Sequence, residues 1–137
     1  MDKTEINCFS DELNSYLLDR YKYKRNVVYV SLSNNINANR KKFDIYLRWK
    51  PDSNYFEKNT LVIARLHFFE TRKGNGTSLL QFFIKHSKKY KYENIMIECA
   101  NENATAFAKR YNFSEYKNDS NFIISTGELE NSLRFLI

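Results

Sequence analysis

A chain of 137 residues has room for one hydrophobic core and one site, and its 42% hydrophobic and 16% aromatic content excludes a disordered polymer. No apolar run approaches the roughly 18 residues needed to cross a membrane, and residues 1–5 lack the charged-then-apolar order of a secretory leader, so the expectation is a cytoplasmic protein with a single domain over 1–137. With 22 Lys and Arg against 16 Asp and Glu, the net charge of +6 favours an anionic partner.

In chain order, Leu13, Tyr16, Leu17 and Tyr21 recur at helical spacing behind Ser10, which reads as an N-cap, and predict a helix from Ser10 to Tyr21. Residues 27–33 and 43–50 are rich in β-branched and aromatic side chains and read as two antiparallel strands, with the Asn-rich stretch "NNINANRKK" as their connection. After Pro51 the run "TLVIARLHFF" predicts a long strand from Thr60 to Phe69. Leu79, Leu80, Phe83 and Ile84 then mark one face of a helix from Thr77 to Tyr90, with lysines at its C-terminal end where they complement the helix dipole. Residues 94–99 read as a short buried strand, and Ala104, Phe107, Ala108 and Tyr111 as a second helix. The tail reads as a hairpin turning near Asn118 and Asp119, followed by an apolar end at Leu133, Phe135, Leu136 and Ile137. A strand, helix, strand order with a short crossover makes the strands at 60–69 and 94–99 parallel inside an otherwise antiparallel sheet. Cys8 and Cys99 are too far apart to suggest a disulfide framework or a metal cluster, and each is expected to be a small buried hydrophobe.

Two of the three glycines, Gly74 and Gly76, stand between the long strand and the helix after it. Amides at a helix N-terminus point outward, carry the positive end of the helix dipole and bind anions, and glycine lets a phosphate approach closely. Lys73, Asn75 and Thr77 complete the candidate cradle. The stretch lacks the Gly-Lys-Ser/Thr ending of a nucleotide P-loop and the third glycine of a dinucleotide fingerprint. Taken alone, it is equally a plain strand-to-helix connection.

This stretch resembles the acyl-CoA-binding signature of the GNAT superfamily of N-acetyltransferases, in which an apolar strand end precedes Arg or Gln, two residues, Gly, any residue, then Gly or Ala. Leu66 takes the apolar place, and Gly74 and Gly76 the small ones; Thr71 stands where Arg or Gln is usual, with Arg72 one place later. A second resemblance lies in "NENATAFAKRYNF", where Asn101, Ala104, Phe107 and Phe113 match the pattern that follows the next strand in that superfamily. Ala108 occupies the place of its usual tyrosine, and Asn112 that of its glycine, a mild change because Asn tolerates the left-handed conformation. Together these resemblances span Thr60 to Ile124.

The resemblance implies a GNAT-like α/β fold: a mixed, mostly antiparallel central sheet with one parallel, splayed strand pair, flanked by helices. It implies that acetyl-CoA, the acyl donor, lays its pyrophosphate on the amides of Arg72, Lys73, Gly74, Asn75, Gly76 and Thr77. The pantetheine arm would pair with backbone near Leu66 and Phe68, with Asn101 and Phe107 also in the cofactor site. Transfer to an amine needs a neutral nucleophile, a donor for the thioester oxygen and a proton for the leaving thiolate. Alanine at 108 cannot supply that proton, and the nearest hydroxyl on the helix face is Tyr111, whose other reading is a core side chain. His67 and Glu70 near the end of the long strand, and Glu98 on the neighbouring strand, are the candidate bases, His67 the best matched to neutral pH. His86, among lysines, reads as a surface residue. No triad or metal-ligand spacing is present, and catalysis by orientation alone, worth about 7–11 kcal/mol, remains open.

Three functions follow: an N-acetyltransferase, a degenerate relative that binds CoA or a macromolecule without turnover, and a nucleic-acid-binding module suggested by "RYKYKR" at Arg20–Arg25, where cations alternate with aromatic rings. The first is preferred. If "RKK" at Arg40–Lys42 folds back beside that segment, the joint positive field disfavours a polycationic acceptor and favours an amine carried on an anionic partner. No membrane partner is expected, and a homodimer is compatible with the sequence.

Overall fold

The computed structural model describes residues 2–71, 73–117 and 120–135. Eleven elements follow in the order α1 (Asp2–Tyr21), β1 (Tyr29–Val30), β2 (Asn35–Arg40), β3 (Phe43–Trp49), β4 (Thr60–Phe68), α2 (Asn75–Tyr90), β5 (Asn94–Ile97), α3 (Glu102–Arg110), β6 (Ser114–Tyr116), β7 (Asn121–Ser125) and α4 (Thr126–Phe135). The strands form one sheet in the order β1-β2-β3-β4-β5-β7-β6, and β4–β5 is its parallel pair, all others being antiparallel. The mixed α/β architecture is the one implied above. No described helix is long and apolar enough to cross a membrane.

Several expectations are corrected. Ser10 is not an N-cap: α1 starts at Asp2, and Ile6 and Phe9 extend the buried stripe of Leu13, Leu17 and Tyr21, leaving Ser10 buried in the middle of the helix. The strand expected at 27–33 shrinks to Tyr29–Val30, and the Asn-rich connection is itself a strand, β2. Asparagine disfavours strands, but Ile36 and Ala38 alternate with exposed Asn37 and Asn39, so one face is buried against β3. Both cysteines are exposed rather than buried. The apolar end belongs to α4, anchored by Leu129 and Leu133; its last residues, Leu136 and Ile137, like the turn at Asn118 and Asp119, lie outside the described residues.

One face of the sheet carries Phe43, Ile45, Leu47 and Trp49 from β3 and Leu61 and Ile63 from β4, all in one core with α1 and α2. At its centre the ring of Phe9 lies 4.6 Å from Trp49, 5.9 Å from Phe82 and 5.4 Å from Tyr90. Such aromatic pairs add about 0.5–1.5 kcal/mol each beyond the area they bury. Packing α1 and α2 on the same side brings the C-terminal end of α1 to the N-terminal end of α2, and that juxtaposition builds the site. On the other side, residues 51–59 are tied to the last hairpin: Asn121 Nδ2 donates to the Tyr55 hydroxyl at 2.7 Å, and Lys117 Nζ to the Asn54 carbonyl at 3.1 Å.

Candidate acyl-CoA site

The parallel pair holds for only four residue pairs, Thr60↔Asn94 to Ile63↔Ile97. Two local causes open it. In β4 a bulge skips Ala64, because Tyr46 faces Arg65 while Leu47 faces Ile63, and the strand bends there. In the other chain segment the Glu98 amide still donates to the Ile63 carbonyl at 3.0 Å, but the next amides turn away: Cys99, at φ +50°, donates to Asn121 Oδ1 at 2.7 Å, and Ala100 to the Ser120 carbonyl at 2.7 Å. From that point β4 follows β3 while the continuation of β5 follows the last hairpin. The wedge between them leaves the backbone edge of β4 beyond Ile63, including Leu66 and Phe68, without a β5 partner.

The Gly74 turn and α2 follow directly from β4. Gly74 adopts φ +70°, occupies the N-cap position and offers no side-chain cap. The Ser78 amide donates to the Gly74 carbonyl at 2.9 Å, whereas among the described residues nothing accepts from the amides of Asn75, Gly76 and Thr77. This donor set, at the positive end of a helix of 16 residues, suits a pyrophosphate. The side chain of Asn75 is buried and points back: its Oδ1 accepts from Tyr21 Oη at 2.8 Å and from Arg20 Nη2 at 3.0 Å and Nε at 3.2 Å, while its Nδ2 donates to the Glu70 carbonyl at 3.1 Å. Arg20, Tyr21, Lys42, Glu70, Lys73 and Asn75 line an open cleft of about 400 Å³ beside the turn. Burial raises the Tyr21 phenol above its ordinary value against the opposing pull of Arg20, so it stays a neutral donor.

On the other side of the turn stands α3. Phe107 packs on Gly76, and the Tyr111 hydroxyl bonds Thr77 Oγ1. Asn101 caps α3 through Oδ1, which accepts from the Ala104 amide at 2.8 Å, leaving Nδ2 as the group it can offer a ligand. Asn112 takes φ +69° just past the helix, the conformation expected of the residue in the glycine's place. Gly74, Asn75, Gly76, Thr77, Phe107 and Tyr111 thus converge; Arg72 lies outside the described residues.

The remaining candidates stand apart. His67 is exposed opposite Asp44, on the strand face away from Leu66 and Phe68, with its ring 4.4 Å from Phe69. Glu98 is no free base, because Arg48 holds it at 2.8 Å and 3.3 Å and that bond raises the guanidinium further. His86 is not a surface side chain: it is half-buried, 3.3 Å from Glu12, and burial lowers its pKa. Sequence reasoning missed Arg20 and Tyr21 as partners of the turn, since they lie 55 and 54 residues from Asn75 and no spacing links them.

No protein-family model and no curated protein matches the sequence. Among solved structures, the chain is similar to one in the AtaTR complex bound with acetyl-CoA, at 16% identity over 83% of this chain and 74% of that one, with a TM-score of 0.52. It is also similar to Elp3 of the archaeon Methanocaldococcus infernus, at 8% identity and a TM-score of 0.53, over 82% of this chain and 33% of that one. A third likeness, to the AtaT-AtaR complex bound to DNA, has 15% identity over 83% of this chain and 75% of that one, with a TM-score of 0.50. With its one splayed parallel pair and the glycine turn at its mouth, the chain has a GNAT-like fold.

Proposed function

We propose that the protein is an acyl-CoA-dependent N-acyltransferase that moves an acetyl group from acetyl-CoA to a primary amine. The observation that carries this reading is the coincidence of the β4–β5 wedge with the first amides of α2, which have no acceptor among the described residues. In it, residues 72–77 hold the pyrophosphate, the free edge at Leu66 and Phe68 pairs with the pantetheine, and Asn101 Nδ2 and Phe107 line the opposite wall. Acetyl-CoA supplies an acyl group activated as a thioester: the amine nitrogen forms the amide bond as the carbon–sulfur bond breaks, losing a proton while the thiolate gains one.

The chain's own residues contribute mainly position. Ala108 has no proton to give; with Glu98 held by Arg48, the residues left to handle one are Tyr111 beside Thr77, Glu70 on the cleft and His67 on the exposed strand face. Holding the two substrates in register can supply about 7–11 kcal/mol without either. A second reading, acyl-CoA binding without turnover, is favoured by the buried Ala108 and by the engagement of the Tyr111 hydroxyl. The acceptor in the first reading is an amine on an anionic partner, because the two basic segments meet: Lys42 Nζ donates to the Tyr21 carbonyl at 2.8 Å and Arg40 Nη2 to the Asn26 carbonyl at 2.8 Å, beside Lys22, Lys24 and Arg25.

Titration calorimetry with acetyl-CoA on ligand-free protein tests the shared premise. Saturable binding followed by thiol release with an amine acceptor supports transfer; binding with no release across an acceptor screen supports the second reading. No binding removes both.

A further inference from the structure

Resting on the acyl-CoA reading, we propose that Arg20 is a positioning residue that sets the shape of the anion cradle from behind, through the buried carboxamide of Asn75. A turn led by Gly74 has no side-chain cap and a residue in the left-handed region, so its own sequence does little to hold it still. The restraint comes from elsewhere. Asn75 closes the turn on itself by donating to the Glu70 carbonyl at 3.1 Å, and Arg20 fastens both ends of the segment next to Gly74. Its Nη2 donates to Asn75 Oδ1 at 3.0 Å and to the Lys73 carbonyl at 3.3 Å, with Nε on the same Oδ1 at 3.2 Å.

Arginine suits this task because its rigid planar fork spans two acceptors at fixed separation, which a lysine ammonium on a flexible stem does not. Its position is set by the core: Leu17 and Tyr21, flanking it on α1, are buried, so the last turn of the helix cannot swing away. The guanidinium also leaves a positive charge behind the Lys73 carbonyl, on the same cleft as Lys42 and Lys73, without requiring contact with the ligand. The amides of residues 75–77 are therefore held in place before a ligand arrives, and binding is spared the cost of ordering them.

The test measures backbone order parameters by 15N relaxation at residues 73–77, and affinities for acetyl-CoA, its 3′-dephospho form and S-acetylpantetheine. Arg20→Ala is expected to lower order at 73–77 while leaving the middle of α2 unchanged, and to weaken both pyrophosphate-containing ligands about tenfold and equally. S-acetylpantetheine, which lacks the pyrophosphate, keeps its affinity. Asn75→Ala reproduces the loss, the double variant is no worse than either single one, and Arg20→Lys does not restore binding. Unchanged order in Arg20→Ala overturns the proposal, as do additive losses or a loss confined to the ligand with the 3′-phosphate, which would mean direct contact. If the wild type binds no acetyl-CoA, the functional reading falls, and the order parameters still decide whether Arg20 holds the turn.

Discussion

Gly76 has no room for a β-carbon: one placed there would lie 2.7 Å from Phe107 Cε1 and 3.0 Å from Cζ. Loss of acetyl-CoA binding in Gly76→Val would therefore mix a blocked cradle with a displaced ring. Gly76→Ala made in a Phe107→Ala background separates them: affinity equal to that of Phe107→Ala alone assigns the glycine to packing, and a further loss assigns it to phosphate approach. Gly74 differs, since a β-carbon there meets nothing within 4 Å and the cost is its φ of +70°. Gly74→Ala is expected to lower stability by about 1 kcal/mol in urea unfolding, with Gly74→Asn costing less. One helical turn matters equally. Ala108 is fully buried, so Ala108→Tyr is expected to overpack the core and destabilise it by about 1–3 kcal/mol rather than restore a proton donor. Tyr111→Phe removes the bond to Thr77 and is expected to cost about 1 kcal/mol with turnover retained. Collapse of the rate in that variant would make Tyr111 the acid.

The contact between α1 and α2 is held by tyrosines as much as by aliphatic side chains. Tyr90 donates its hydroxyl to Glu12 and Tyr16 shares a bond with Ser78 between the two helices, while Tyr92, just past α2, donates its hydroxyl to the Phe83 carbonyl of α2 and packs its ring near Phe9 of α1. Burial raises the pKa of Tyr16, Tyr21, Tyr90 and Tyr92 above the ordinary tyrosine value of about 10, and for Tyr90 the Glu12 carboxylate adds to it. A raised folded-state value means that their contribution is complete below about pH 10 and is lost above it, as the unfolded chain ionises first. The urea midpoint is thus expected to fall steeply above pH 10, and Tyr92→Phe to flatten that slope; an unchanged slope would remove Tyr92 from the account. On the acid side His86, lowered by burial, loses its contribution below its ordinary value of 6.5, and Glu12, lowered chiefly by the Tyr90 bond, below 4.5.

At the scale of the whole molecule, basic side chains cluster at the end of the sheet where the wedge opens. Lys22, Lys24 and Arg25 follow α1, Arg40 and Lys42 bond back to that segment, and Lys73 and Arg20 line the adjoining cleft. Such a field repels a polyamine and draws in an anion. Changing Lys22, Lys24 and Arg25 together to Ala is expected to slow acylation of an anionic acceptor at low salt and to flatten its salt dependence, with acetyl-CoA affinity retained. A preference for spermidine over every acidic acceptor would defeat this assignment.

Much of the architecture was legible because it is local. The apolar run of β4 and the 3.6-residue spacing of Leu79, Leu80 and Phe83 report on neighbours within one element, and the strand, helix, strand order then makes β4 and β5 parallel. The glycine turn was legible for the same reason. β2 was not, since its Asn residues carry loop propensity and only the pairing of Ile36 and Ala38 against β3 outweighs it. Nor was the start of α1, where an acceptable cap at Ser10 was overtaken by burial of Ile6 and Phe9. Local preference acts over a few residues, whereas the hydrogen bonds of Asn75 to Arg20 and of Glu98 to Arg48 join residues 55 and 50 positions apart. Those contacts depend on the path of the chain through the sheet. The sequence alone determined that a helix N-terminus stands open behind a glycine turn; only the packing of α1 beside α2 decided what holds that turn in place.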